Sequence, residues 1–93
     1  MMTTTKETKV LKSMLKTGLE QMGGSKAEDL LDDNFSWNHF EEIKENTGFV
    51  DNSIKGILGS LIKKALVGKE TEGNKTCYFL EEKGINHLII LGS

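Results

Sequence analysis

The stretch that decides the fold is IKGILGSLIKKALVGKE, from Ile54 to Glu70. Its apolar residues recur three and four positions apart, as they do on one side of an α-helix. Gly56 and Gly59 interrupt this pattern, although a glycine inside a helix costs about 1 kcal/mol relative to alanine. On a helical wheel both glycines fall opposite the apolar side. The stretch therefore predicts a helix in which two positions on the polar side lack side chains, and this lowers the stability of the helix.

The amino-terminal part of the chain predicts another amphipathic helix, from Thr5 to Met22. Its apolar residues form one broad face, and Gly23 suits the end of a helix. Ser25 then offers an amino-terminal cap, with Glu28 as its capping-box partner three residues later. The segment that follows Ser25 is either a short helix or a loop, and the pattern leaves both open.

The segment just before the deciding stretch predicts a helix-turn-helix. Ser36 can cap a helix that includes Trp37 and ends at Thr47 and Gly48. After the turn GFVD, the next helix opens at Asp51 or the residue that follows it. Two helices joined by a tight turn that contains glycine form a helix-turn-helix arrangement.

Beyond the deciding helix the pattern changes to that of β-structure. Residues 66–70 and 76–80 are β-prone runs, and the segment TEGNK between them predicts the tip of a hairpin. A last helix is expected from about Glu82 to Leu91. This order predicts a single α+β domain over residues 1–93, mostly helical, with a two- or three-stranded antiparallel sheet.

At the residue level, GILGSLIKKALV followed by CYFLEEKG resembles the second helix and the wing of MarR-like winged helix-turn-helix proteins. The LIKKALV segment is also similar to small winged-helix proteins of bacteriophages and bacteria, including the amino-terminal domain of phage middle-transcription activators. The resemblance covers roughly Phe35 to Leu91, and residues 1–22 precede it as an amino-terminal helix. It implies a winged-helix fold and a small cytoplasmic transcription regulator that binds double-stranded DNA.

The chain departs from the pattern of that family in three places. Ala65 stands where the family usually has glycine, and Glu81 stands where threonine usually caps the final helix. Glutamate is a poorer cap than threonine. The segment GGSKAEDLLDDN, residues 23–34, is longer than a minimal domain requires between its first two helices.

The resemblance implies that the 52–65 helix docks in the major groove of DNA, with the 66–80 wing alongside. Lysines and hydroxyls would then contact phosphates, and Asn52 would reach an adenine edge. The predicted DNA-contacting residues are Asn52, Ser53, Lys55, Gly56, Gly59, Ser60, Lys63, Lys64, Lys69, Asn74 and Lys75. A second basic stripe, formed by Lys9, Lys12 and Lys16, has no predicted position relative to this helix.

Charge is distributed unevenly along the chain. The net charge is −2, but residues 1–19 and 52–76 each carry +3 and residues 20–51 carry −7. The chain has no arginine, the commonest specific reader of guanine, and this argues against sequence-specific DNA reading. The acidic segment leaves open an alternative, a winged-helix module that binds a host protein and no DNA.

Catalysis, cofactors and metals are not predicted. The sequence contains no activated nucleophile with its base and no nucleotide-binding glycine loop that follows a strand. His39 and His87 are far apart in sequence, and Cys77 has no histidine beside it, so no zinc spacing occurs. We therefore expect a protein that is not an enzyme and that binds neither a cofactor nor a metal.

The remaining expectations concern location and assembly. A single cysteine excludes an internal disulfide and favours a reducing cytoplasm. No apolar run is long enough to span a membrane, and the amino terminus has no signal-peptide core. The amphipathic first and last helices could either join two copies in a homodimer or complete the core of a monomer.

Overall fold

The computed structural model describes residues 3–32 and 37–92, which form five helices and a three-stranded antiparallel sheet. In chain order the elements are α1 (Thr5–Met22), α2 (Asp29–Asp32), β1 (Asn38–His39), α3 (Phe40–Thr47), α4 (Asp51–Lys63), β2 (Val67–Glu72), β3 (Lys75–Leu80) and α5 (Glu82–Ile90). The prediction of a mostly helical α+β chain is confirmed.

The apolar faces of α1, α4 and α5 meet in one hydrophobic core. Met14 of α1, Leu61 of α4 and Leu88 of α5 have no exposed surface, and Leu30 of α2 is almost fully buried beside them. Complete burial of a side chain of this size contributes about 1.5–3 kcal/mol. The core therefore fixes α1 across α4, which is the geometry on which the candidate site depends.

Helix α1 has the predicted bounds, and both of its ends are capped. Thr4 Oγ1 accepts the N–H of Glu7 at 3.1 Å, and the Glu7 carboxylate accepts the N–H of Thr4 at 2.8 Å. These two bonds form a capping box. At the other end Gly23 has a φ of 72°, the left-handed conformation that glycine adopts most readily.

Helix α2 is short and is not capped as predicted. It begins at Asp29, and the carboxylate of Asp29 accepts the N–H groups of Ser25 at 2.9 Å and Lys26 at 3.1 Å. These two bonds hold the pKa of Asp29 below its usual value. The predicted capping box between Ser25 and Glu28 is therefore wrong, because an aspartate inside the helix supplies the capping oxygen.

Helix α3 begins at Phe40, so the prediction that Trp37 belongs to this helix is wrong. The two residues before Phe40 form β1 and pair with β3, so a sheet satisfies their backbone groups. Trp37 is 41% exposed, and its ring packs against that of Phe79 at an interplanar angle of 39°, with the ring centres 4.6 Å apart. Ser36, the predicted cap, lies outside the described residues.

The turn between α3 and α4 agrees with the prediction. Helix α3 ends at Thr47, Gly48 follows with a φ of 74°, and α4 begins at Asp51. The far end differs, because α4 stops at Lys63 and residues 64–65 form a turn. The docking helix predicted over residues 52–65 is therefore shorter at its carboxyl end than expected.

The hairpin of β2 and β3 has a two-residue tip, Gly73 and Asn74. Glu72 and Lys75 pair directly below the tip, and Gly73 has a φ of 62°. Glycine with a positive φ at the first tip position is typical of a type II′ turn. Strand β1 pairs with the other edge of β3, so the sheet has three strands in the order β1-β3-β2.

Helix α5 starts close to the connection between α4 and β2. Glu81 precedes the helix and makes no capping bond with its side chain, as its difference from threonine predicts. Its N–H donates to the carbonyl oxygen of Leu66 at 3.0 Å. A Cβ at Gly84 would overlap that same oxygen, so the close approach of α5 requires glycine here.

Candidate nucleic-acid interface

The polar side of α4 is exposed, as the helical wheel predicts. Ile54, Leu58 and Leu61 are buried on the opposite side of the helix. The exposed predicted contacts on α4 are Asn52, Lys55, Gly56, Gly59 and Lys63. We call these five residues the open side of α4. Ser53, at its edge, is half-buried.

The two glycines of the open side have free space around them. A Cβ built at Gly56 or Gly59 meets no atom within 4 Å other than those of its own helix and chain neighbours. Neither residue has a positive φ. Nothing in the packing or the backbone conformation of the described residues therefore requires glycine at these positions. Alanine would fit at both and would favour the helix.

Ser60 and Lys64 are bound within the protein, at the edge of the open side. The Ser60 hydroxyl donates to Glu7 Oε2 at 2.7 Å, and Lys64 Nζ donates to Oε1 and Oε2 at 2.9 and 3.0 Å. Glu7 belongs to α1, so this network joins the amino-terminal end of α1 to the carboxyl-terminal end of α4. A contact of either residue with DNA would require the network to open.

Glu7 carries a stable negative charge although its side chain is buried. Burial is the largest single influence and raises the pKa of this carboxyl. The N–H of Thr4, the hydroxyl of Ser60 and the ammonium of Lys64 together outweigh it and lower the pKa from 4.5 to about 2. Glu7 is therefore ionised at neutral pH and holds α1 on α4 by charge as well as by hydrogen bonds.

Sequence reasoning missed Glu7, for a clear physical reason. The spacing of Thr4 and Glu7 is the signature of a capping box and could have revealed the start of α1. The contact with Lys64 spans 57 positions in the chain and has no local signal. Only the packing of α1 across α4 brings the two charges together.

The first turn of α4 contains an acid that is neutralised from α3. Lys44 Nζ lies 2.7 Å from Asp51 Oδ1, and both side chains are about half exposed. The hydrogen bond from Lys44 holds the pKa of Asp51 below its usual value. The carboxylate that stands next to Asn52 is therefore partnered, which reduces its repulsion of an approaching anion.

The amino-terminal lysines of α1 reach the turn between α3 and α4. Lys9 Nζ lies 5.2 Å and Lys6 Nζ 6.0 Å from the centre of the Phe49 ring. Lys12 lines one groove together with Lys9 and another together with Lys16. The predicted stripe of Lys9, Lys12 and Lys16 therefore runs along one side of α1, and Lys6 reaches Phe49 beside Lys9.

The wing contributes the remaining predicted contacts. Lys69, Asn74 and Lys75 are all exposed, with Asn74 at the tip and Lys75 directly beside it. Lys69 lies roughly 10 Å nearer the base of the hairpin. Two exposed glutamates, Glu70 and Glu72, follow Lys69 on β2, and Glu72 pairs with Lys75 of β3. The wing is therefore a surface of mixed charge, unlike the open side of α4.

Part of the acidic segment, residues 20–51, lines a groove between α1 and α3. Glu20 of α1 and Glu42 and Glu45 of α3 line it, together with Gln21. The groove is bridged on one side by a hydrogen bond of 3.3 Å between Asn46 of α3 and Thr17 of α1. The six residues that line it all belong to α1 and α3, so this acidic surface does not include the open side of α4.

Cys77 and His39 face each other across β1 and β3. Cys77 Sγ lies 3.6 Å from His39 Nδ1, so the prediction that Cys77 has no neighbouring histidine is wrong. The unpredicted strand β1 is the reason. Two donors are fewer than zinc usually requires, and in the described residues no group of three histidine, cysteine, aspartate or glutamate side chains could hold a metal.

The described surfaces thus differ in charge. The open side of α4 has lysines and no acid, the wing is mixed, and the α1–α3 groove is acidic. In the part of the chain that is described, no helix is long and apolar enough to cross a membrane. No family model matches the chain, and no curated protein matches it.

Proposed function

We propose that this chain is a small winged helix-turn-helix protein that binds double-stranded DNA and regulates transcription in the cytoplasm. The observation that carries the proposal is the open side of α4, where two glycines with empty space around them stand among Asn52, Lys55 and Lys63. A pair of unrequired glycines in an exposed helix costs about 2 kcal/mol in total. Close approach of a partner at this face accounts for that cost.

The shape of α4 suits the major groove of DNA. The helix has 13 residues and is about 20 Å long, and the major groove, about 12 Å wide, admits an α-helix. At Gly56 and Gly59 the backbone itself would lie at the helix surface. Asn52 in the first turn would contact base edges, while Lys55 and Lys63 would contact phosphates on either side of the groove.

The order of the elements supports the same proposal. The pair α3 and α4 is followed by the hairpin β2–β3 and then by α5, which is the order of a winged helix-turn-helix domain. In this arrangement Asn74 and Lys75 at the hairpin tip would meet the DNA backbone beside the groove that α4 occupies. Ser60 and Lys64, bound to Glu7, would hold the edge of α4 against α1.

A band-shift titration over a salt series tests the proposal. A protein that neutralises several phosphates loses affinity steeply as salt increases. The double variant Lys55→Glu/Lys63→Glu should abolish the shift. The matched control Lys16→Glu/Lys26→Glu carries the same change of charge away from α4 and should retain most of it. Binding by Lys55→Glu/Lys63→Glu at wild-type affinity would exclude the open side of α4 as the contact surface.

Selection from random duplex DNA identifies what the protein reads. Because Asn52 is the proposed base-contacting side chain and asparagine pairs with adenine edges, we expect a recovered motif with an adenine at the Asn52 contact. A motif with two-fold symmetry would report a homodimer, and a single asymmetric motif would report a monomer. Failure to enrich any motif while duplex binding persists would leave a DNA-binding protein without sequence preference.

A second candidate function is a winged-helix module that binds a host protein. The acidic groove of Glu20, Glu42 and Glu45 favours it, since a basic surface of a partner would complement these charges. The variant Glu42→Lys/Glu45→Lys separates the two functions. It should strengthen duplex binding if DNA is the partner, because negative charge is removed. The second function is correct if two results are obtained together. The wild type must show no binding to duplex DNA at low salt, and the variant must lose a stoichiometric complex that the wild type forms with one host protein.

A further inference from the structure

Two lysines of α1 converge on one aromatic ring in the helix-turn-helix. Lys9 Nζ lies 5.2 Å and Lys6 Nζ 6.0 Å from the ring centre of Phe49. Phe49 is half-buried and packs against the hydrophobic core, so its ring is a fixed platform. Attraction between a cation and the face of an aromatic ring holds the ammonium groups near that platform without neutralising them.

The charge of these two lysines is not balanced within the described residues. Lys44 and Lys64 each have a carboxylate partner, at 2.7 and 2.9 Å. In residues 3–32 and 37–92 neither Lys6 nor Lys9 forms an ion pair. Two like charges held over one ring repel each other, and an anion brought between them relieves that repulsion.

The position of the pair relates it directly to α4. Phe49 lies two residues before Asp51, the first residue of α4. Asn52 and Lys55, the first exposed residues of the open side, follow within one helical turn. Phe49 also lines a groove with Glu41, Lys44 and Glu45, so the lysines of α1 reach the start of α4 beside a surface of mixed charge, in which Asp51 is partnered by Lys44.

We propose that Lys6 and Lys9 bind the phosphate backbone of the duplex whose groove receives α4, so that α1 forms a third DNA contact besides the helix-turn-helix and the wing. This inference rests on the proposed function. Its ligand is a run of backbone phosphates, which α1 contacts next to the amino-terminal end of α4. Phe49 positions both lysines, and Lys12 and Lys16 lie outside this contact.

The salt dependence of binding to a fixed duplex tests the inference. The logarithm of the binding constant falls as the logarithm of the salt concentration rises, and each lysine–phosphate contact on duplex DNA makes this slope steeper by about 0.9. Between about 50 and 200 mM salt, Lys6→Gln/Lys9→Gln should make this slope shallower by about 2 and reduce affinity on the order of tenfold. The matched control Lys16→Gln/Lys26→Gln should leave the slope unchanged. Lys6→Arg/Lys9→Arg keeps both charges and should keep the wild-type slope.

The outcomes separate this inference from the proposed function. If the wild type binds duplex DNA but Lys6→Gln/Lys9→Gln keeps the full slope, the α1 contact is wrong and the proposed function stands. An equal loss of slope in the control would also overturn the inference, because net charge alone would then explain it. If the wild type binds no duplex DNA, or binds only a host protein, both fail. Melting temperatures within experimental error of the wild type establish that each variant is folded.

Discussion

Helices α4 and α5 both contain glycine within their length, and the surroundings of those glycines are opposite. A Cβ at Gly84 in α5 would overlap the carbonyl oxygen of Leu66. A Cβ at Gly56 or Gly59 in α4 would enter empty space. The protein itself thus explains the glycine of α5, because a neighbouring backbone passes too close for any side chain. It does not explain those of α4.

A glycine within a helix points to a binding surface only when its surroundings give no structural reason for it. Within a helix, glycine is always unfavourable relative to alanine, so both helices pay a similar local cost. In α5 the cost is offset by close packing of two segments of the same chain. In α4 no contact among the described residues offsets the cost, and this is why the open side of α4 carries the proposed function.

The largest expected effect is that of Gly84→Ala. The new Cβ must displace either α5 or the connection that contains Leu66, and both are fixed by the core. We expect a loss of about 3 kcal/mol in the free energy of unfolding, at the upper end of the usual cost of overpacking. Urea unfolding measures it, with the exposed neighbour Lys83→Ala as control. A loss below about 1 kcal/mol would show that α5 has room, and the contrast between the two helices would disappear.

An effect of similar size is expected where Ser60, at the edge of the open side of α4, binds Glu7 of α1. The folded state holds the pKa of Glu7 at about 2, below its ordinary value of 4.5. The stabilisation is therefore complete above about pH 4.5 and is lost as the pH falls through the folded pKa. One pKa unit corresponds to about 1.4 kcal/mol, so the free energy of unfolding should fall by about 3 kcal/mol from this group.

The variant Glu7→Gln isolates that contribution. Its free energy of unfolding at pH 7 should be about 3 kcal/mol lower, because Lys64 loses its charged partner. Between pH 4.5 and 2 its stability should then depend on pH less than that of the wild type. Parallel profiles for the two proteins would contradict a buried, ionised Glu7. The stabilising effect of alanine at Gly56 should persist in both proteins, since the open side does not touch this network.

The substitutions Gly56→Ala and Gly59→Ala should act in the opposite direction from Gly84→Ala. Each should raise the free energy of unfolding by about 1 kcal/mol, because alanine favours the helix and meets no atom. The double variant should also bind duplex DNA more weakly, since two methyl groups would stand between α4 and the groove. Thermal unfolding and band shifts measure the two effects. Gain of stability with unchanged binding would remove the reason for proposing a contact at this face.

The sequence alone predicts which side of α4 is exposed, because the spacing of apolar residues is a local property of the chain. The three-and-four spacing of Ile54, Leu58 and Leu61 is enough to show which side of α4 faces the core, so the open side follows without a structure. The bounds of α1 follow in the same way. What could not be predicted depends on contacts between distant segments. Strand β1 exists because β3 offers it an edge, and Glu7 meets Lys64 only because α1 crosses α4.

Backbone conformation is a third reason for which a position favours glycine, and Ala65 occupies such a position. It follows α4 with a φ of 62°, although it is not a glycine. For a residue with a Cβ, this left-handed conformation is unfavourable by about 1 kcal/mol. Glycine would relieve that strain, but it also has more freedom in the unfolded chain, which offsets roughly half of the gain. Ala65→Gly should therefore raise the free energy of unfolding by about 0.5 kcal/mol.

Gly23 supplies the reciprocal control for that prediction. It has a similar φ of 72°, and a Cβ there would meet no atom within 4 Å, so Gly23→Ala changes conformational strain without changing packing. It should lower the free energy of unfolding by about the amount that Ala65→Gly raises it. Thermal unfolding of the two single variants and of the pair measures both changes, which should cancel in the pair. If Ala65→Gly destabilises the protein, contacts of the Ala65 methyl group outweigh the strain of its backbone conformation.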